Sequence, residues 1–134
     1  MKRLVFVCVG NAGRSQMAEA FAKHLGQGRI EVFSAGTIPA KEVNLTVVKV
    51  MLEKDIDISK NKPKKLTSEM LKGVDAVITM GCSVQDVCPV PLLKNVEDWH
   101  LEDPKGKPIE KIREIRDEIE RRVVELLDRL LNQK

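Results

Sequence analysis

The chain has 134 residues, of which 43% are hydrophobic, and carries a formal net charge of +3, which predicts one compact domain over residues 1–134. Acidic and basic residues are interspersed and aromatic residues make up only 3% of the chain, so neither a basic nucleic-acid-binding face nor a base-stacking platform is expected. No apolar segment reaches membrane-spanning length and the N-terminus lacks a cleavage site, so we expect a cytoplasmic protein with no membrane partner and with reduced thiols.

Strand and helix patterns alternate along the chain. Continuous apolar runs predict strands buried on both faces, and apolar spacings of three or four residues predict helices. In order, we expect a strand at 3–8, a helix from Ser15 stopped by Gly26 or Gly28, a strand at 29–36, a helix capped by Asn44, a short helix opened by Thr67 or Ser68, a strand at 75–80, a short strand at 93–96 and a helix from Ile109 to Leu130. On the last helix, Glu118 and Arg122, and Glu125 and Arg129, have the spacing of surface ion pairs.

This alternation indicates an α/β sandwich with right-handed crossovers, in which ligands bind beyond the carboxyl ends of the strands. Cys8 stands at the end of the first predicted strand, and Cys82 follows the third. Both thiols are therefore expected at the same edge of the sheet. With Cys88 the chain has three cysteines, and an odd number in a reducing compartment points to catalysis or redox exchange.

Between the first strand and the first helix lies a C-x5-R loop. Its glycines and asparagine tolerate left-handed or crowded backbone, so the loop can turn several N–H groups inward, where the helix N-terminus adds its positive dipole end. Arginine supplies a planar fork that matches two oxygens of a tetrahedral oxyanion. The predicted oxyanion-binding residues are Val9, Gly10, Asn11, Ala12, Gly13 and Arg14.

In this field we expect Cys8 to be held as a thiolate nucleophile. Ser15 can donate a hydrogen bond to its sulfur. Cysteine is also among the most buried residue types, and a lone cysteine at a strand end is usually inert packing. Inert packing is the weaker interpretation of Cys8 here, because Arg14 follows it in the C-x5-R spacing, between a predicted strand and a predicted helix.

The segment CVGNAGRSQMAEAF resembles the active-site loop of low-molecular-weight phosphotyrosine phosphatases and, more closely, that of thioredoxin-coupled arsenate reductases. Further motifs follow in that family's order: SAGT (34–37), DIDIS (55–59), VITMGC (77–82), CP (88–89), DWHLEDPKGK (98–107) and IREIRDEIERRV (112–123). The resemblance implies a three-layer sandwich with a four-stranded parallel sheet flanked by helices. It also implies a monomer that needs no cofactor and binds arsenate, phosphate or sulfate in the loop.

The resemblance also implies a mechanism. Cys8 would attack arsenate held by Arg14, and Asp103 would be the general acid. Cys82 would then form a disulfide with Cys8, and Cys88 would resolve it to a Cys82–Cys88 disulfide that thioredoxin or a similar dithiol reduces. From the residues alone, Asp103 is equally well a turn acid before proline.

Three features depart from the family. Five residues separate Cys82 from Cys88, where well-known members have six, and Gly13 stands where many relatives carry another cysteine. Some relatives hold potassium at residues matching Asn11, Glu19 and Ser34. The basic run at 60–65 occupies the region expected to supply a further acidic ligand, so we expect no metal site.

Two other functions compete with reduction. A phosphatase on the same scaffold needs Cys8, Arg14 and Asp103 but neither of the other cysteines; such enzymes usually have tyrosine and proline where this chain has Lys105 and Gln16. A zinc or anion sensor could use Cys82, Cys88 and His100, but a fourth ligand is missing. His24 is expected to be a partly buried or surface histidine.

Overall fold

The computed structural model describes residues 1–80 and 96–131. Within them four strands form one sheet in the order β2-β1-β3-β4, and every pair is parallel. The strands are β1 (Lys2–Cys8), β2 (Ile30–Gly36), β3 (Ala76–Thr79) and β4 (Val96–Asp98), and the helices are α1 (Arg14–Gly26), α2 (Leu45–Leu52), α3 (Ser68–Leu71) and α4 (Ile109–Leu131). The predicted α/β fold with a four-stranded parallel sheet is confirmed.

Two details differ from the sequence predictions. The fourth strand was expected at 93–96, whereas β4 begins at Val96 and runs to Asp98; residues 93–95 lie outside the described residues. The expected pair of Glu125 with Arg129 is wrong, because Arg129 donates to Glu97 on β4 at 3.1 Å and Glu125 accepts from Arg121 at 3.1 Å. The other elements agree with their predictions within a few residues.

Side chains alternate across β1, so the sheet has a core on each face. One face buries Leu4, Phe6 and Cys8 against apolar side chains of α1, α2 and α4. The opposite face buries Val5 and Val7 against a smaller cluster that includes residues of α3. Helices therefore cover both sides of the sheet, as the predicted three layers require.

Local sequence determines how the helices begin and end. The Asn44 side chain accepts hydrogen bonds from the N–H groups of Thr46 and Val47, so it caps α2 as predicted. Helix α1 ends at Gly26, one of the two predicted stops, and the Gln27 that follows caps it with a left-handed φ of 48°. None of the described helices is long and apolar enough to cross a membrane.

An ionic cluster joins α2 to α4. Glu53 follows α2 and accepts hydrogen bonds from Arg113 at 2.8 Å and from Arg116 at 2.7 Å. These two guanidinium groups lower the pKa of Glu53 to about 2. Arg116 is itself buried and also donates to the carbonyl of Val50. The cluster therefore joins the C-terminal end of α2 to α4.

Candidate active site

Cys8 ends β1 at the carboxyl edge of the sheet, and the loop of residues 9–13 leads from it into α1. Its thiol is only 2% exposed, yet it opens into a cavity of about 400 Å³. The lining residues are Cys8, Val9, Gly10, Ala12, Gly13, Arg14, Ile38, Ala40, Glu42, Asn44, Asp103, Pro104 and Lys105. The sulfur thus lies at a pocket and is not enclosed by hydrocarbon alone.

The carbonyl groups of the loop all accept hydrogen bonds. Those of Cys8, Val9, Gly10 and Ala12 accept hydrogen bonds of 2.9–3.1 Å from backbone N–H groups of residues 37–44. The Asn11 carbonyl accepts from the Gln16 side chain at 3.1 Å, and the Gly13 carbonyl accepts the first helical bond, from Met17.

The orientation of the carbonyls determines that of the amides. In a trans peptide the C=O and the following N–H point in opposite directions, and the described residues contain no cis peptide. The N–H groups that follow these carbonyls therefore point away from the partners that the carbonyls bind. Among them, the Asn11 N–H donates to Cys8 Sγ at 3.1 Å. Several N–H groups turned to one side of a loop are what an anion-binding concavity requires.

Asn11 holds the loop in this shape. Its φ of 51° is left-handed, and its side chain is fully buried with four hydrogen bonds. The amide oxygen accepts from the backbone N–H of Lys64 at 2.9 Å and from Gln16 at 3.0 Å. Because a backbone N–H can only donate, the oxygen must face Lys64, and the NH₂ group must donate to Ser15 and Ser34.

That orientation determines what the Ser15 hydroxyl receives from Asn11. Its hydroxyl oxygen accepts from Asn11 at 2.7 Å and lies 2.8 Å from Cys8 Sγ. Because Asn11 donates to the hydroxyl oxygen, the Ser15 proton is available for donation to the sulfur. The Asn11 N–H and the Ser15 hydroxyl are therefore both in place to hydrogen-bond the sulfur when it acts as the nucleophile.

The far end of this network is a buried carboxylate. Ser34 accepts from Asn11 at 3.0 Å and donates to Glu19 at 2.7 Å. Glu19 is 5% exposed, and its carboxylate lies 3.0 Å from the ammonium of Lys23 and 3.7 Å from that of Lys64. Two lysines thus neutralise the group that the resemblance connects with potassium.

Arg14 is the first residue of α1 and points across the loop. It is 8% exposed, and its guanidinium donates to the carbonyl of Leu101 at 3.1 Å and lies 3.8 Å from the carboxylate of Asp103. It is therefore held at the cavity rather than directed into solvent. A guanidinium fixed in this way can bind two oxygens of a tetrahedral anion.

Asp103 reaches the same cavity from a loop that is distant in the sequence. Its side chain is 60% exposed, and one oxygen accepts from the backbone N–H of Lys105 at 3.0 Å. The neighbouring Glu102 has its pKa lowered by hydrogen bonds from Lys107 and Lys111, so it stays ionised. Of the two adjacent acids, Asp103 is the one that lines the cavity.

Some predicted site residues are not tested by this geometry. Cys82 and Cys88 lie outside the described residues, which resume at Val96. Within 1–80 and 96–131, no group of three or more His, Cys, Asp or Glu side chains could hold a metal ion. His100 is 90% exposed and lies 3.2 Å from Asp98, and His24 is exposed.

Sequence reasoning did not identify the segment that supports the loop. The N–H donors of residues 37–44 have no side-chain signature, but Gly36 in SAGT gives a signal. A Cβ built on Gly36 would lie 2.5 Å from the Val9 carbonyl oxygen and 3.0 Å from the Asn11 nitrogen. Only glycine allows β2 to approach the loop this closely. Leu101, which receives Arg14 through its carbonyl, was also missed.

Comparison with known proteins agrees with this geometry. The family model for low molecular weight phosphotyrosine protein phosphatases matches residues 3–134. A putative arsenate reductase of Halobacterium salinarum is 44% identical over 128 residues, which are 92% of this chain and 89% of that protein. A glutaredoxin arsenate reductase of Synechocystis is 39% identical over 132 residues, covering 97% of this chain and 99% of the relative.

A solved structure of an arsenate reductase is also similar to this chain. The thioredoxin-dependent arsenate reductase of Corynebacterium glutamicum superposes with a TM-score of 0.83 at 41% identity. The alignment covers 99% of this chain but 64% of the Corynebacterium chain, so this chain spans less than two thirds of that protein. The similarity extends over the whole fold and includes the loop.

Proposed function

The chain belongs to the low-molecular-weight phosphotyrosine protein phosphatase family, and we propose that within it the protein is an arsenate reductase, using Cys8, Cys82 and Cys88 in sequence. The observation that carries this proposal is the surrounding of Cys8. Its sulfur accepts a hydrogen bond from the Asn11 N–H and lies 2.8 Å from the Ser15 hydroxyl, beside a cavity lined by loop residues and Arg14. The named relatives support the choice of arsenate.

The first step forms a covalent intermediate. Arsenate binds with its oxygens on the loop amides and the Arg14 guanidinium, and Cys8 attacks arsenic. The sulfur–arsenic bond forms while an arsenic–oxygen bond breaks, and Asp103 gives its proton so that the oxygen leaves as water. A positioned general acid contributes roughly 10²- to 10⁴-fold to such a step.

The second step transfers electrons. The Cys82 thiolate attacks the Cys8 sulfur, the electron pair of the sulfur–arsenic bond stays on arsenic, and arsenic(V) becomes arsenic(III), which leaves as arsenite. Cys88 then attacks the Cys82 sulfur and releases the Cys8 thiolate. The remaining Cys82–Cys88 disulfide takes two electrons from a dithiol protein of the thioredoxin or glutaredoxin class.

The proposal includes the protein's form and setting. We take residues 1–134 as one domain acting as a monomer in the cytoplasm, where a reducing thiol pool recycles the disulfide. Phosphate and sulfate, which have the same tetrahedral shape, are expected to compete with arsenate for the loop.

Phosphate-ester hydrolysis is the second candidate function. The family match favours it, and so does the cavity of about 400 Å³, which has room for an organic group beside the oxyanion. Such a reaction would use Cys8, Arg14 and Asp103 but leave Cys82 and Cys88 idle.

One experiment separates the two functions. Purified protein would be assayed for arsenate-dependent oxidation of thioredoxin and, separately, of glutaredoxin, and for hydrolysis of an aryl phosphate. We expect Cys82→Ser and Cys88→Ser to abolish arsenate turnover with either reductant and to leave any hydrolysis unchanged, while Cys8→Ser abolishes both. Without reductant, one turnover should leave a Cys82–Cys88 disulfide in peptide mapping. Arsenate turnover that survives in Cys82→Ser and Cys88→Ser would contradict the proposal.

A further inference from the structure

Gly13 is the last loop residue before α1, and its missing side chain is replaced by another part of the protein. A Cβ built on Gly13 would lie 2.7 Å from Pro104 Cγ, 3.5 Å from Pro104 Cδ and 3.7 Å from a methyl of Val47. The φ of Gly13 is −142°, so left-handed backbone is not the reason for glycine here. In this chain the proline ring occupies the space that a side chain at position 13 would fill.

Pro104 connects this contact to the proposed acid. It is buried and directly follows the exposed Asp103. The Asp103 side chain accepts a hydrogen bond from the backbone N–H of Lys105 in its own loop, and it lies 3.8 Å from the Arg14 guanidinium. The carboxylate is therefore only loosely held by the active-site loop itself, and the packed proline beside it fixes where it lies.

A second contact attaches the same segment to the site. Arg14 donates to the carbonyl of Leu101 at 3.1 Å, two residues before Asp103. The bond to Leu101 holds the segment before Asp103, whereas the packing of the Pro104 ring against Gly13 holds it after Asp103. Between these two points the chain carries Asp103 over the cavity.

We propose that Gly13 is a positioning residue for Asp103, because the absence of its side chain lets Pro104 seat the acid over Cys8. The inference rests on the proposed role of Asp103 as general acid. Carbon atoms in contact lie about 3.5–4.0 Å apart, so a Cβ at position 13 would displace the ring by about 1 Å. A misplacement of about 1 Å can lower the rate of a catalysed step by roughly 100-fold.

The first test compares Gly13→Ala with Asp103→Asn. We expect kcat for arsenate turnover to fall about 10- to 100-fold in Gly13→Ala, with little change in KM and in the affinity for inorganic phosphate. The alkaline limb of the pH profile of kcat should weaken as in Asp103→Asn, a change that a purely structural defect would not produce. A loss of phosphate affinity that accounts for the lost rate would overturn the inference, because the loop and not the acid would have moved.

A double-variant cycle tests the contact itself. Alanine at position 104 lacks the Cγ and Cδ atoms that would meet the new methyl group, so Gly13→Ala should cost no further rate in a Pro104→Ala background. Non-additivity of this kind is expected only for groups in contact. If Gly13→Ala lowers kcat equally in both backgrounds, Gly13 does not act through Pro104 and the inference fails.

The same cycle on aryl phosphate hydrolysis separates this inference from the proposed function, since that leaving group also needs a proton. If wild-type protein turns over neither substrate, the proposed function fails, and crystal structures of wild type and Gly13→Ala still test the positioning. Pro104 should then move by about 1 Å away from the new methyl group. A ring that keeps its place would overturn the inference.

Discussion

Replacing Ser15 by alanine tests whether its hydroxyl stabilises the reacting sulfur. The hydroxyl lies 2.8 Å from Cys8 Sγ and accepts from Asn11 at 2.7 Å. Hydrogen bonds to charged groups contribute about 1.5–3 kcal/mol, which corresponds to about a 10- to 100-fold fall in the rate of thiolate attack. The substitution also leaves one buried N–H of Asn11 without its acceptor, at a cost of about 1–3 kcal/mol in unfolding free energy.

Ser34→Ala is the matched control for this variant. It removes the other acceptor of the Asn11 amide, at 3.0 Å, and a donor to Glu19, at 2.7 Å, whereas Ser15→Ala removes an acceptor of Asn11 and the partner of the sulfur. Both variants should therefore lose a similar unfolding free energy, whereas only Ser15→Ala should lose the full 10- to 100-fold in rate. Glu19 keeps its two lysine partners in the control.

The assay is a single-turnover measurement of arsenite release without reductant, which avoids the recycling steps. Alkylation of Cys8 by iodoacetamide at neutral pH, in a background that lacks the other two cysteines, reports the nucleophile directly. Urea unfolding gives the stability of each variant. Equal rate losses in Ser15→Ala and Ser34→Ala, or none in Ser15→Ala, would refute the assignment of the Ser15 proton to the sulfur.

Three further variants test other parts of the structure. Arg14→Lys should lower kcat/KM for arsenate by about 100-fold and weaken phosphate binding in calorimetry, because an ammonium cannot reproduce a two-point fork; an unchanged affinity would contradict it. Gly36→Ala should cost about 1–3 kcal/mol of unfolding free energy and lower phosphate affinity, since its Cβ would meet the Val9 oxygen at 2.5 Å; normal binding by a stable variant would count against the close approach. The pKa of Glu53 is lowered from 4.5 to about 2, so its stabilising effect is complete above pH 4.5 and is lost as pH falls toward 2. The difference in unfolding free energy between wild type and Glu53→Gln, measured by urea unfolding, should therefore shrink as the pH falls from 4.5 toward 2. A difference that stays constant would contradict a lowered pKa of Glu53.

Most of the fold could be predicted because its signals are local. The apolar run of β1 and the Asn44 cap of α2 are visible in a few consecutive residues. The exception is β4, where only Glu97 of three residues is partly buried, so apolar alternation gives almost no signal. Its bounds depend on pairing with β3, beginning at Val77 with Val96. The wrong partner for Arg129 has the same origin, because Glu97 on that strand competes with the neighbour on the helix.

The candidate site shows the same difference between residues that are close in the sequence and contacts between distant segments. Cys8 and Arg14 lie in one contiguous loop, so the sequence could indicate an anion cradle. The backbone donors of residues 37–44, the Leu101 carbonyl and the Gly13–Pro104 contact involve partners far apart in the chain. Contacts between distant segments leave no periodicity or motif spacing in the sequence from which they could be predicted. Asp103 could be identified only through the family resemblance.

The geometry around Cys8 suits any tetrahedral oxyanion of this size, so the choice between reduction and hydrolysis cannot lie in recognition. The choice depends on which reaction the phosphorus or arsenic atom can undergo once it is bound to the Cys8 sulfur. Phosphorus(V) on sulfur does not accept electrons from a thiol and is released only by water, whereas arsenic(V) on sulfur takes two electrons when a second thiol attacks. An enzyme with this loop therefore becomes a reductase by supplying that second thiol before water arrives. In the proposed mechanism Cys82 and Cys88, rather than any residue of the cavity, therefore decide between the two functions.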